Sequence, residues 1–327
     1  MSTTLPESQG LLMLPHLRIQ NANAISSPLT HGFPSMTAFL GLMWALERKL
    51  CANGIGMAFD SVGVICHDFD EQVTEGGYTK AFRLTRNPVD RDGSTAAIVE
   101  EGRIHLDISL VFGVSSETVL EKAEARQTLA DTVAETLAGM RVAGGSIVPT
   151  RGADARQGAE LIRLAEDSTE AGKQFRRLRR RWLPGFALVC RDDLLAQRLA
   201  SLRAIEPTAT ALDALLDLSR INWRLEPAAA SDSERKGVEW KPEPRAGWIV
   251  PIPVGYGALS GIHPAGSVKN ARDSHTDFRF VESLYSIGQW ISPHRLGGVR
   301  ELLWYGHSDV ESGLYRCRND FAAAPHA

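Results

Sequence analysis

The chain has 327 residues, of which 43% are hydrophobic and 23% charged, and a formal net charge of -3 at pH 7. That length can bury a large core in two lobes or in one domain with substantial insertions, and the near-neutral balance excludes nucleic-acid binding by overall charge, leaving local basic patches. Residues 1–10 lack a basic segment followed by a long apolar run, and no stretch approaches ~18 consecutive apolar residues, so a cytoplasmic chain without a membrane span is expected. The four cysteines, Cys51, Cys66, Cys190 and Cys317, form no C-x-x-C pair or zinc spacing and read as reduced core thiols.

Residues 11–19 are apolar and extended, residues 28–35 read as a turn, and residues 36–50 as a helix apolar on most faces. Between Arg18 and Glu47 there is no Asp, Glu, Lys or Arg, and the stretch opens Gln20-Asn21-Ala22-Asn23-Ala24-Ile25-Ser26-Ser27. Amides and hydroxyls both donate and accept, so this run suits base edges or ribose; it also suits an ordinary loop, because Asn, Ser and Pro cap and turn. Strands are expected at 61–69 and 80–84, flanking Glu75-Gly76-Gly77-Tyr78 as a protruding hairpin, and at 103–112. A helix follows over 117–140, with Val119, Ala123, Ala130, Val133, Leu137 and Met140 on one face, and residues 147–149 form a short last strand. The order is βαββαβ with added hairpin material, a ferredoxin-like, RRM-like arrangement whose sheet face and loops commonly receive single-stranded RNA.

The second half holds the strongest charge cluster: Lys173, Arg176, Arg177, Arg179, Arg180 and Arg181, which on a helix wrap much of the circumference. A phosphate backbone, an acidic partner or plain solvation each fits it. A buried strand is expected over 183–191, helices near 192–204 and 211–221, a mobile loop over 226–247, a strand over 248–254 and a helix over 278–291 before an apolar segment at 302–307. The fold class is therefore α+β: an RRM-like domain with inserted hairpin at 1–150 and a C-terminal α+β region at 151–327.

Several chemistries are discounted. Gly255-Tyr256-Gly257 with Gly261 lacks the dinucleotide spacing, Ala258 removes the serine-nucleophile elbow at Ser260, and alternation separates His67 from Asp68 and Asp70 as metal ligands. No catalytic residue, metal or cofactor is expected. Three segments fit binding: Arg86-Asn87 with Arg91, able to hold arginine forks near phosphates; Gly144-Gly145-Ser146, where glycines let backbones approach and offer N–H groups; and Arg272 in Asn270-Ala271-Arg272-Asp273. Surface ion pairs and tight turns explain the same residues.

The phrases RIQNANAISSPLT, LTRNP, RDGSTAAIVEEGR, AGGSI, LPGFALV, TALDALLDL, VPIP, NARD, SPHR and LLWY, in this order over nearly the whole chain, resemble the Csy-two family of type I-F CRISPR surveillance complexes. The resemblance implies a non-enzymatic, Cas-five-type subunit that binds the 5′ handle of the CRISPR RNA. It also implies pairing with the large subunit (Csy-one), contact with the helical backbone subunit (Csy-three), and a complex that holds a Cas-six-type endonuclease, meets target DNA and attracts phage anti-CRISPR proteins. Handle contacts are expected at Asn21, Asn23, Ser26, Ser27, Arg86, Asn87, Arg91, Gly144, Gly145, Ser146 and Arg272, with Arg176, Arg177, Arg179, Arg180 and Arg181 meeting RNA or a partner. His31 stands where the family favours an aromatic side chain. Some Cas-five-type relatives cut repeat RNA without metal, so a repeat RNA endonuclease is the alternative.

Overall fold

The computed structural model describes residues 4–83, 89, 92–95, 101–149, 158–227, 238–271 and 273–323. Arg86, Asn87, Arg91 and Arg272 therefore lie outside the described residues.

The first half runs β1 (Gly10–Asn23), β2 (Ile25–Ser27), β3 (Thr30–His31), α1 (Met36–Ala52), β4 (Ala58–Glu71), β5 (Val73–Gly76), β6 (Thr79–Phe82), β7 (Arg103–Ser115), α2 (Ala123–Ala138), β8 (Arg141–Val142) and β9 (Gly145–Val148). Then follow β10 (Glu160–Arg163), α3 (Ser168–Arg181), β11 (Phe186–Cys190), α4 (Asp192–Arg203), α5 (Ala211–Ser219), β12 (Trp223–Pro227), β13 (Val238–Pro242), β14 (Trp248–Ala258), β15 (Val281–Ile291), α6 (Val299–Leu302), β16 (Trp304–Asp309) and β17 (Leu314–Asn319). The protein is thus α+β, built on one antiparallel eleven-stranded sheet. Its order is β11-β15-β14-β17-β16-β4-β7-β1-β9-β8, with β10 also paired to β1. Strands from both sides of position 150 share that sheet: β4 bonds β7 along one edge and β11 and β16 along the other.

Local chemistry explains the elements that position the surface. Ser35 caps α1, its hydroxyl accepting the Thr37 N–H, and Met36, Phe39, Leu40, Leu42, Met43, Leu46 and Leu50 are buried. Much of the charge-free stretch is therefore core, where a charge would cost its hydration. One face of the sheet packs α1 and α2 through Leu12, Leu14, Ile19, Ile104, Leu106, Leu110, Phe112 and Val133. The other face is covered at one end by Phe175, Leu178 and Trp182 of the α3 segment over Leu11, Met13, Ile65 and Val111. Beyond that cover, Arg18, Gln20 and Asn21 are exposed and Arg103, His105 and Asp107 half-buried, leaving part of the face open among the described residues.

Four expectations are corrected. Residues 281–291 of the expected helix form β15, paired with β11 and β14; residues 286–291 are all buried, so no one-sided period marks them. The expected helix over 117–140 is a 3₁₀ turn, Glu117–Leu120, then α2. Part of the expected loop at 226–247 is β13, which makes an exposed ribbon with β12. Cys51 is exposed, whereas Cys66, Cys190 and Cys317 are buried.

Candidate nucleic-acid interface

Two segments about 130 positions apart in sequence meet at one edge of the sheet. Ile19 and Ala22 of β1, and Ala24 just after it, are buried in the core, and the β1–β7 register shifts between Ile19 and Ala22. That bulge puts Gln20 and Asn21 together on the outward side, with Asn21 held at φ 57°. The Asn21 N–H donates to His105 Nδ1 at 3.1 Å, which fixes the neutral imidazole proton on Nε2 and leaves the Asn21 amide exposed. Asn23 Nδ2 donates to the Ile25 carbonyl at 2.7 Å, and its Oδ1 accepts the Ile25 N–H at 3.1 Å. Each end of that amide keeps one further bonding position.

The second segment is the β8–β9 hairpin. Ala143 at φ 47° and Gly144 at φ 81° form its two-residue turn, both in the left-handed region a type I′ connection requires. The Asn23 N–H donates to the Ala143 carbonyl at 2.8 Å. Gly145 is there because the backbones touch: a Cβ would stand 2.7 Å from Ala22 N and from Gln20 O. Ser146 is exposed and lies opposite both Gln20 and Arg141. Arg141 is exposed and donates to the Gly144 carbonyl at 3.3 Å. The structure thus gathers Asn21, Asn23, Gly144, Gly145 and Ser146, and adds Arg18, Gln20 and Arg141, which are not among the residues expected from sequence. Their signal was available: Arg18 and Gln20 alternate along the strand that carries Asn21, and Arg141 opens the glycine turn.

The two serines sit differently. Ser26 Oγ accepts the Ser35 N–H at 3.0 Å. Ser27 is buried, its hydroxyl 2.6 Å from Thr30 Oγ1 and accepting the Leu29 N–H. His31, exposed on β3, is 5.0 Å from Phe82 between ring centroids.

Asn23, Ser26, Ser35, Thr37 and Ala143 also line a cleft of about 340 Å³ with Trp44, Tyr256 and Tyr315. The two tyrosines stack with centroids 6.4 Å apart and planes 20° apart. Aromatic faces beside amides and hydroxyls can stack an unpaired base and bond its edge. No sequence signal links Tyr256 and Tyr315 to Asn23, since only the sheet brings them together.

The arginines of α3 divide. Asp167 caps the helix by accepting the Thr169 and Glu170 N–H groups. Arg179 donates to the His294 and Leu296 carbonyls at 3.0 and 3.1 Å, and Arg181 pairs with Glu160. Arg176, Arg177 and Arg180 are exposed.

A histidine pair lies on the same sheet. His16 and His67 stack with centroids 4.1 Å apart, and His16 Nδ1 is 3.1 Å from Asp107. His67 Nδ1 must donate to the Pro184 carbonyl at 2.6 Å, so its Nε2 accepts the Ser109 hydroxyl at 2.7 Å. Both His67 nitrogens are thereby spent on the fold. Among the described residues no three or more His, Cys, Asp or Glu gather as a metal group, and no helix is long and apolar enough to cross a membrane.

An α+β sheet protein with an amide- and arginine-bearing edge is the class that fold and surface define. The comparisons supply the rest: a family model described as CRISPR-associated protein (Cas_Csy2) matches residues 12–317. The CRISPR-associated protein Csy2 of Pseudomonas aeruginosa (strain UCBPP-PA14) is 50% identical over 322 residues, covering 97% of this chain and 96% of the relative. The chain belongs to the Csy2 family, a component of the type I-F CRISPR system.

Proposed function

We propose that this chain is a non-catalytic, RNA-binding subunit of a type I-F CRISPR surveillance complex. It holds the 5′ handle of the CRISPR RNA, pairs with the large subunit and abuts the helical backbone subunit, in a particle that also carries a Cas-six-type endonuclease and meets target DNA and anti-CRISPR proteins. The observation that carries this reading is the junction of β1 with the β8–β9 hairpin, where Asn21, Asn23 and Ser146 stand beside Arg18 and Arg141. Arginines hold phosphates there, while amides and a hydroxyl read splayed bases.

An RRM-like core at 1–150 fits the same reading. The sequence β1-α1-β4-β7-α2-β9 with spatial order β4-β7-β1-β9, all antiparallel, supports a ferredoxin-like arrangement, to which β10, β11 and β14 to β17 add strands. The partly open face on Arg18, Gln20, Arg103 and His105 adjoins the junction. For the competing endonuclease reading His67 is a poor proton carrier, because both its ring nitrogens are bonded within the fold.

The test measures binding of the full chain to RNA oligonucleotides with native handle, altered handle or altered spacer. Altered handle bases and the Asn21→Ala/Asn23→Ala variant should weaken binding about tenfold or more, and altered spacer bases should leave it unchanged. Equal losses from handle and spacer changes overturn the proposal. Cleavage of repeat RNA in chelator by the purified chain would establish the alternative.

A further inference from the structure

We propose that the outward face of α3 is a docking rail for the backbone of double-stranded DNA, read without regard to sequence. This inference does not rest on the handle reading, because it uses a different element. Helical spacing places Lys173, Arg176, Arg177 and Arg180 within ~100° of arc, directly opposite Phe175, Leu178 and Trp182. Those three side chains are buried, and the four cations are exposed. Arg179 and Arg181, which fall off the stripe, are the ones bonded into the fold. Lys173 meets Glu170 in an exposed pair, and among the described residues the side chains of Arg176, Arg177 and Arg180 make no hydrogen bond or ion pair. From Glu170 to Arg181 the helix holds six cations and one carboxylate in a chain whose net charge is -3. Three arginines in the last turn favour the helix C-terminus, but that effect fades within a turn and does not explain Arg176 or Arg177.

The character of the stripe selects the partner. The core of a protein interface is largely apolar, whereas the stripe is four exposed cations with no apolar side chain among them, a composition that suits a row of phosphates better. Single-stranded nucleic acid is held by stacking, and no exposed aromatic lies on α3. Duplex RNA is recognised through its 2′-hydroxyls, yet the one amide between Lys173 and Arg180 is already engaged. Gln174 donates to the Arg163 carbonyl and accepts the Ala165 N–H. What remains is a straight row of cations ~10 Å long, matching about three phosphates of one DNA strand at ~3.4 Å of axis each. The rail also stands apart from the handle edge. Its helix packs over Leu11 and Met13, roughly 30 Å along β1 from Asn21–Asn23.

The test titrates full-length chain against labelled duplex DNA of two unrelated sequences over a range of salt, for the wild type and the triple variant Arg176→Ala/Arg177→Ala/Arg180→Ala. The slope of log association constant against log salt should fall in magnitude by about three, equally for both sequences, with unchanged thermal unfolding. Replacing the same three residues by Lys should keep the slope within about one of the wild type. An unchanged slope in the Ala variant, no duplex binding by the wild type, or loss confined to a protein partner each overturns the rail. Handle RNA binding, measured on the same samples, should not change. Its failure alone would overturn the handle proposal and leave this one standing.

Discussion

His67 shows how a single residue can tie together elements that sequence alone leaves unrelated. Its ring joins β4 to the Pro184 carbonyl before β11 and to Ser109 on β7, and Ser109 in turn accepts the His16 N–H at 3.1 Å. Burial pushes the imidazole below its ordinary value of 6.5, the Pro184 carbonyl opposes that shift, and the neighbouring His16 adds to it while Asp107 works against it. A base whose folded pKa is depressed binds fewer protons in the fold than in the unfolded chain, so stability rises with pH in that window. The contribution is complete above about 6.5 and is lost as pH falls toward the depressed folded value. Thermal unfolding between about pH 7.5 and 5.5 should show the wild type losing more stability than His67→Gln; parallel curves would refute the assignment. The role of His67 was not readable from sequence. Simple alternation sets it opposite Asp68, whereas the β4–β7 register shifts between Cys66 and Asp68, and no spacing rule foretells Ser109 or Pro184.

At the scale of elements, α3 makes the clearest contrast between folding and surface. Arg179 satisfies two carbonyls at the Pro293–Arg295 turn and its edge, and its guanidinium lies 6.0 Å from the Phe175 ring. Arg179→Ala should cost about 1–3 kcal/mol, since it strips charged donors from carbonyls, whereas Arg176→Ala should stay within about 0.5 kcal/mol. Urea unfolding of both variants checks this, and equal losses would show that α3 docks through a different set of arginines. Elements with a local mark were legible: α1 from its apolar run, α3 from its cluster of cations, and the β5–β6 hairpin, with Gly77 at φ 66°, from its turn residues. β15 was not, because Ser286 and Gln289 are buried polar residues within it. The Gln289 amide donates to the Ala246 carbonyl and accepts from Arg191, bonds that exist only after folding. The candidate site divides likewise: Asn21, Asn23 and the glycine turn are visible in sequence, while the Tyr256–Tyr315 cleft depends on pairing of β14 with β17.

Over the whole molecule, the sheet makes the two halves of the chain mutually dependent. The core around α1 and α2 takes Leu188, Cys190, Ile252, Val254, Trp290, Trp304 and Cys317 from the second half, and the Trp304 indole N–H donates to the Leu188 carbonyl at 2.8 Å. Residues 1–150 expressed alone would leave that surface and the outer edge of β4 uncovered. The fragment should aggregate or bind a hydrophobic dye without a cooperative melt, while the full chain melts in one transition; a soluble fragment with its own sharp melt would show two independent folding units. The boundary expected near position 150 rests on a change of element pattern in the sequence. The strand exchange across it is not readable there, because long-range pairing leaves no local mark.

Three thiols are shut inside the sheet and Cys51, at the far end of α1, is open to solvent. A maleimide dye added to the native chain therefore has one point of attachment, and the unmodified protein carries a built-in address for distance measurements by fluorescence. Because α1 begins at the cleft beside Asn23 and ends at that thiol, a fluorophore there reports on α1 from the end opposite the proposed RNA edge.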